Sequence, residues 1–293
     1  MSVMVQAFAE GEVEGRAFSV VLGCPFGLVT THAFPDGESL VSVPWTADTV
    51  IIYRSLDRPN TKLVELILAA EAWRRLGVQR LVLVAPYLAY MRQDKAFAPG
   101  QAISQRAVAT LLSDHFDRVV TVNAHLHRTR ALSDLFSIPT QDLSVGPTLG
   151  AWLSGRDAPD LVVGPDEESG PLVRAAADAL GARCLVLSKA RKGDRDVELA
   201  PDPQDDVRGR SVVIVDDICS TGATLAAAAE RMKAMGAAKV DVFVVHALFE
   251  AGAEARLKAA GVGVVASSGA VTHPSNALSL APLLAEALAS ELS

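Results

Sequence analysis

Along the chain, short apolar runs alternate with longer amphipathic or alanine-rich segments. The runs at 50–53, 81–85, 119–122, 161–163, 184–187, 212–215, 240–245 and 262–266 are mostly β-branched and apolar throughout. Such runs predict strands covered on both faces. Segments 62–76, 104–113, 170–180, 224–235 and 253–259 predict helices. Gly77, Gly181, Gly236 and Gly261 follow four of them, where a helix stop favours glycine. Alternation of strand and helix predicts an α/β fold with parallel, doubly wound sheets.

The rhythm recurs in two halves. LVLVAPYLAYMRQD, from Leu81, ends a strand and opens a loop, and LVVGPDEESG, from Leu161, does the same. A boundary near 144–147 is expected, with Pro139, Gly146 and Pro147 as breakers, which divides the chain into domains 1–145 and 146–293. The charged stretch 189–208, rich in Pro and Asp, is expected to be a mobile loop. The tail 276–292 has helical periodicity and is expected to pack on the first domain.

Composition narrows the classes. The chain has 293 residues, half of them hydrophobic, enough for a sizeable core without staples. A net charge of -7 excludes a general nucleic-acid coat, which needs a basic excess against phosphate. An anionic ligand must therefore be held by local cations, helix N-termini or a metal. Three scattered cysteines, Cys24, Cys184 and Cys219, suggest a reducing compartment. The N-terminus has no basic region followed by an apolar core, and no apolar run approaches a membrane span. A cytoplasmic protein without membrane contact is expected.

The most informative segment is VVIVDDICSTGATL, residues 212–225. Ligands of open α/β sheets gather beyond the carboxyl ends of the strands, and Asp216 and Asp217 are expected at such an end. Ser220, Thr221, Gly222, Ala223 and Thr224 then offer hydroxyls and backbone N–H groups where a helix begins, a setting that suits phosphate. Adjacent carboxylates suit a polyol. Together they read as a sugar-phosphate cradle. Simple capping of the next helix explains one acid but not two. Cys219, with no basic partner beside it, reads as a packing residue.

This segment resembles the phosphoribosyl-pyrophosphate (PRPP) loop shared by type I phosphoribosyltransferases and PRPP synthetases. Other segments separate the two. FPDGESLVSV, from Phe34, and APYLAYMRQDKAFAPGQAISQRAVATLL, from Ala85, resemble segments of the ribose-phosphate pyrophosphokinase (PRPP synthetase) family. VTVNAHLHRTRALSDLFSIP, from Val120, LVVGPDEESGPLVRAAADALG, from Leu161, and SKARKGDRDVELA, from Ser188, do so too. The likeness covers 34–225 almost continuously, with a weaker match beyond. Asn123 resembles the archaeal-like branch. Ser220 and Ala223 depart from the acid and glycine that many members carry there, which leaves every catalytic group in place.

The resemblance implies two phosphoribosyltransferase-type I-like domains, each a mainly parallel sheet flanked by helices. It implies transfer of diphosphate from ATP to O1 of ribose 5-phosphate, giving PRPP and AMP for nucleotide biosynthesis. Lys189 and Arg191 would be catalytic, and residues 216–217 and 220–224 would bind ribose 5-phosphate. Phe34, Asp36, Gly37, Glu38, Arg92 and Gln93 would bind ATP, the first four across a subunit boundary, which implies a homo-oligomer. His125 and Asp166 would hold Mg²⁺. His127, Glu167 and Glu168 are read as solvated or exposed. The alternatives are a phosphoribosyltransferase that consumes PRPP, a non-catalytic regulatory relative of the synthetases and, ranked last, a nucleotide-responsive regulator.

Overall fold

A computed structural model describes residues 2–126, 128–192, 196–200 and 207–292, with the backbone alone for 188–192 and 196–200. The chain forms two units. The first takes Met1–Leu143, Ala270–Thr272 and Ser279–Ser293; the second takes Ser144–Gly269 and His273–Leu278.

The first unit begins with β1 (Val3–Phe8), α1 (Glu12–Leu22), β2 (Phe26–Ala33) and β3 (Ser39–Ser42). It continues with β4 (Thr49–Tyr53), α2 (Pro59–Arg75), β5 (Arg80–Val84), α3 (Ser104–Ser113), β6 (Arg118–Val122) and β7 (Thr140–Leu143). Its sheet runs β3-β2-β1-β4-β5-β6-β7, parallel except for the β2–β3 hairpin. TVIIY on β4 is buried at every position, as a strand covered on both faces demands. Its Ile51 and Ile52 are fully buried, each contributing about 1.5–3 kcal/mol of burial.

The second unit begins with α4 (Gly146–Ser154), β8 (Leu161–Gly164), α5 (Gly170–Leu180) and β9 (Arg183–Val186). There follow β10 (Ser188–Lys192), β11 (Asp196–Ala200), β12 (Ser211–Cys219), α6 (Ala223–Ala234), β13 (Lys239–Ala247), α7 (Ala253–Ala259), β14 (Val265–Ser268) and β15 (Asn276–Leu278). Its six-stranded sheet, β15-β14-β13-β12-β8-β9, is parallel throughout. From β8 the chain steps outward to β9, and from β12 it steps the other way to β13. Right-handed crossovers therefore lay α5 and α6 on opposite faces. The last helix, α8 (Ala281–Leu288), belongs to the first unit, where it packs on α1.

Several expectations are corrected. Of the stretch 189–208, expected to be a mobile loop, 193–195 and 201–206 lie outside the described residues, while β10 and β11 pair antiparallel from Ser188↔Ala200 to Lys192↔Asp196. Hydrogen bonding between the two segments overrides their polar composition. Gly146 and Pro147, read as breakers, open α4 instead. Proline is pre-set for a first helical turn, and glycine along α4 admits α5: a Cβ at Gly150 would lie 2.4 Å from the Ala176 carbonyl oxygen. The strand expected at 262–266 lies at Val265–Ser268, because Gly263 first turns back to donate its N–H to the Val240 carbonyl at 2.9 Å. The tail is part strand, part helix.

Candidate active site

In the second unit the strand order reverses between β8 and β12. An open α/β sheet leaves a crevice outside the carboxyl ends of its strands at such a point. β12 outlasts its neighbour there: it pairs with β8 only through Ile214, but with β13 as far as Cys219↔Ala247. Asp216 and Asp217 thus lie within a strand rather than at its end, on the stretch that projects beyond β8. Asp166 lies two residues past the end of β8. Its Oδ1 accepts from the Glu168 and Ser169 N–H groups at 3.1 and 3.3 Å, so the carboxylate is fixed at the mouth of α5.

The three acids share one electrostatic environment. Asp216 keeps some exposed surface, but burial around its carboxyl raises its pKa well above the ordinary value, and the charges of Asp217 and Asp166 raise it further. One Asp216 oxygen accepts from the Asp217 N–H at 2.9 Å. Acids crowded in this way are stabilised by whatever brings hydroxyl donors or a cation. Cys219 is 2% exposed, and burial pushes its thiol up to about 12, which leaves no thiolate nucleophile near neutral pH.

The turn after β12 is held open by its own backbone. Gly222 is left-handed (φ 74), and a Cβ there would sit 3.3 Å from the Ala253 carbonyl oxygen. Helix α6 starts at Ala223 with Gly222 as its N-cap and no side-chain cap, so capping by Asp216 or Asp217 is not their role. The first turn of α6 directs N–H groups at this turn, a setting favourable to phosphate. Thr221 Oγ1 accepts from the Ala223 N–H at 3.3 Å. The Thr221 carbonyl accepts from Arg256 on α7, and the Ser220 carbonyl accepts from the Glu250 N–H at 2.9 Å. Sequence reasoning missed Arg256, because no local spacing ties position 256 to this turn.

In the first unit, the segments expected to meet nucleotide follow neighbouring strands. Arg92 and Gln93 lie in the loop after β5, and His125 lies in the loop after β6. Asn123 turns left-handed (φ 46), a conformation its short polar side chain tolerates. The Ala124 N–H donates to Asp142 Oδ1 at 2.9 Å, which anchors the turn that carries His125. Phe34, Asp36, Gly37 and Glu38 form the tip of the β2–β3 hairpin. The Phe34 N–H donates to the Glu38 carbonyl at 2.8 Å, and Asp36 Oδ1 accepts from the Glu38 N–H at 3.2 Å. Phe34 is 42% exposed at this tip, and its ring meets His32 edge-on at 5.0 Å.

Lys189 and Arg191 lie on β10, opposite Leu199 and Val197 of β11, and their side chains are outside the described atoms. His127 lies outside the described residues. Glu167 and Glu168 are exposed. Among the described residues, no three or more His, Cys, Asp or Glu side chains are placed to hold a metal ion, and no helix is long and apolar enough to cross a membrane.

Comparison with known proteins gives a consistent picture. The family model described as the N-terminal domain of ribose phosphate pyrophosphokinase matches residues 3–115, and that of the phosphoribosyl transferase domain matches 149–267. A ribose-phosphate pyrophosphokinase of Methanopyrus kandleri is 36% identical over 290 residues, 98% of each chain. That of Methanobrevibacter smithii is 34% identical, over 89% of this chain and 91% of the relative. The crystal structure of phosphoribosylpyrophosphate synthetase from Mycobacterium smegmatis superposes over the whole chain and 99% of its own, with a TM-score of 0.84. At 24% identity, that likeness speaks to fold.

Proposed function

The chain belongs to the ribose-phosphate pyrophosphokinase family, and from that premise we propose how its residues divide the work. The reaction moves a diphosphate group from ATP to O1 of ribose 5-phosphate, giving PRPP and AMP. The observation that carries the assignment of residues is the meeting of Asp166, just past β8, with Asp216 and Asp217 on the stretch of β12 that projects beyond β8, ahead of the 220–224 turn.

The 5-phosphate rests on Ser220, Thr221, Gly222, Ala223 and Thr224, where backbone donors at a helix start supply positive potential. Asp216 and Asp217 accept from the 2- and 3-hydroxyls. These hydrogen bonds orient O1, and orientation is most of what a phosphoryl transfer requires of a protein. O1 gives up its proton to solvent and bonds to the β-phosphorus as the bond from that phosphorus to the oxygen bridging the α-phosphate breaks, and AMP leaves with that oxygen. Arg92 and Gln93 hold the nucleotide. Phe34, Asp36, Gly37 and Glu38 serve the nucleotide of a neighbouring copy, so the working form is a homo-oligomer. An aromatic ring exposed at a hairpin tip supports that reading. Lys189 and Arg191 meet the β-phosphate as its charge builds.

His125 and Asp166 are the proposed contacts for Mg²⁺ and the nucleotide phosphates. The Asp166 carboxylate suits a hard cation: magnesium is held by one or two carboxylates, with phosphate and water oxygens filling the remaining positions. When bound, it would neutralise phosphate charge. Acids that repel one another around Asp216 agree with that demand.

The test is incubation with ATP, ribose 5-phosphate and Mg²⁺, following PRPP and AMP together. Equal formation of both is expected. Consumption of added PRPP with a nucleobase, and no AMP from ATP, would replace this reading with a phosphoribosyltransferase.

A further inference from the structure

Helix α3 joins the two nucleotide loops of the first unit through a residue that the scheme above leaves without a part. Gln105 is a polar side chain with 1% of its surface exposed. Its Nε2 donates to the Met91 carbonyl at 3.3 Å, and its Oε1 accepts from Thr129 Oγ1 at 3.0 Å. Its own N–H donates to the Gln93 carbonyl at 3.3 Å, and the neighbouring Ser104 hydroxyl donates to Gln93 Oε1 at 2.9 Å.

A second tie runs parallel to the first. Arg128 Nη1 donates to both oxygens of Asp94, at 2.8 and 3.1 Å, and the Asp94 side chain is 3% exposed. Met91, Gln93 and Asp94 surround Arg92, while Arg128 and Thr129 follow His125 by three and four residues. The first loop also carries backbone strain: Tyr90 is left-handed (φ 65), and its hydroxyl donates to Asn60 Oδ1. Such a conformation persists only where surrounding contacts over-determine it.

An amide buried this deeply is unfavourable unless both its donor and its acceptor are used. Here each end is used, and each end serves a different loop. We propose that Gln105, assisted by the Asp94–Arg128 ion pair, is a positioning residue that locks the Arg92–Gln93 loop to the His125 turn at one spacing. The inference rests on the reading of Arg92, Gln93 and His125 as nucleotide contacts. A small misplacement far from the reacting atoms lowers the rate by disturbing alignment.

The experiment pairs steady-state kinetics with amide hydrogen exchange on the full chain. Gln105→Leu removes both hydrogen bonds and is expected to raise the KM for ATP about tenfold, the equivalent of one or two buried hydrogen bonds. The KM for ribose 5-phosphate stays unchanged, and exchange speeds up in 90–94 and 123–130 together. Gln105→Glu keeps the acceptor for Thr129, loses the donor to Met91, and falls between. Thr129→Val, a smaller change should Gln105→Leu not fold, is expected to speed exchange in 90–94, in the loop it does not belong to. Faster exchange confined to 123–130 in Thr129→Val, or an equal rise of both KM values in either variant, would overturn the brace. A wild-type chain that forms no AMP overturns the functional reading instead, and the exchange data still decide whether the two loops are coupled.

Discussion

Each unit has a place where its strand order turns round, and the two places are filled in opposite ways. In the first unit the reversal lies between β1 and β4. Arg54, the residue after β4, sits there with 3% exposure and its guanidinium 3.5 Å from the Phe8 ring centroid. It is paired with Glu10 at 2.8 Å and with Glu65. In the second unit the reversal lies between β8 and β12, and it gathers Asp166, Asp216 and Asp217. One crevice is closed by an internal cation matched to two acids. The other holds acids that repel one another. Architecture alone does not make a site; what each crevice gathers differs, a buried cation in the first and crowded acids in the second.

The largest expected effect tests the closed crevice. Arg54→Ala leaves the buried Glu65 carboxylate without its partner, and breaking such a pair destabilises by about 3–5 kcal/mol. Urea unfolding at neutral pH measures this. A change below about 1 kcal/mol, the level of an exposed pair, would mean that Arg54 is not what closes the crevice.

The open crevice should respond the other way. Asp216→Asn removes a charge that burial and two neighbouring acids disfavour, so the substrate-free protein should become more stable at neutral pH. On the proposed reading, turnover should fall on the order of 10²-fold, because the contact assigned to the ribose hydroxyl is lost. A variant that loses both stability and activity would show that Asp216 is structural. Lys189→Ala separates chemistry from binding: turnover should drop on the order of 10²-fold or more, while thermal stability and ATP binding, read by calorimetry, hold.

The contrast also explains what the sequence discloses. β4, β5, β8 and the first half of β12 are legible because each carries an apolar run, at 50–53, 81–84, 161–163 and 212–215, and the acid pair with its hydroxyl-rich turn is legible because it follows such a run. β1 is hidden because Gln6 interrupts it. That residue is fully buried, with its Oε1 accepting from Trp73 Nε1 at 3.0 Å, a partner 67 positions away. Arg54 and Gln105 are hidden for the same reason. A buried polar residue reads as surface until its partners are known, and those partners come from other elements. β12 runs on through its acids to Cys219 because β13 supplies hydrogen bonds there, a tertiary contribution that no local pattern carries.

The smallest effect concerns two carboxylates that pull stability in opposite directions with pH. In the first unit, hydrogen bonds from Arg80 hold Glu291 below the usual glutamate range, and Arg118 adds to this. Its contribution is therefore present above the ordinary glutamate value and is lost as pH falls through the lowered one. Asp216 is raised, so its folded form favours the proton. Its contribution is present below the ordinary aspartate value of about 3.9 and is lost as pH rises through the raised one. Glu291→Gln should thus lower the urea midpoint at neutral pH, match wild type at the lowest pH, and so flatten the acid limb of the curve. Asp216→Asn should match wild type near pH 3, where both states of the wild type are protonated, and gain on it steadily as pH rises. A gain that stays constant from acid to neutral pH would mean that Asp216 feels neither its burial nor its acidic neighbours, and the contrast between the two crevices would fall.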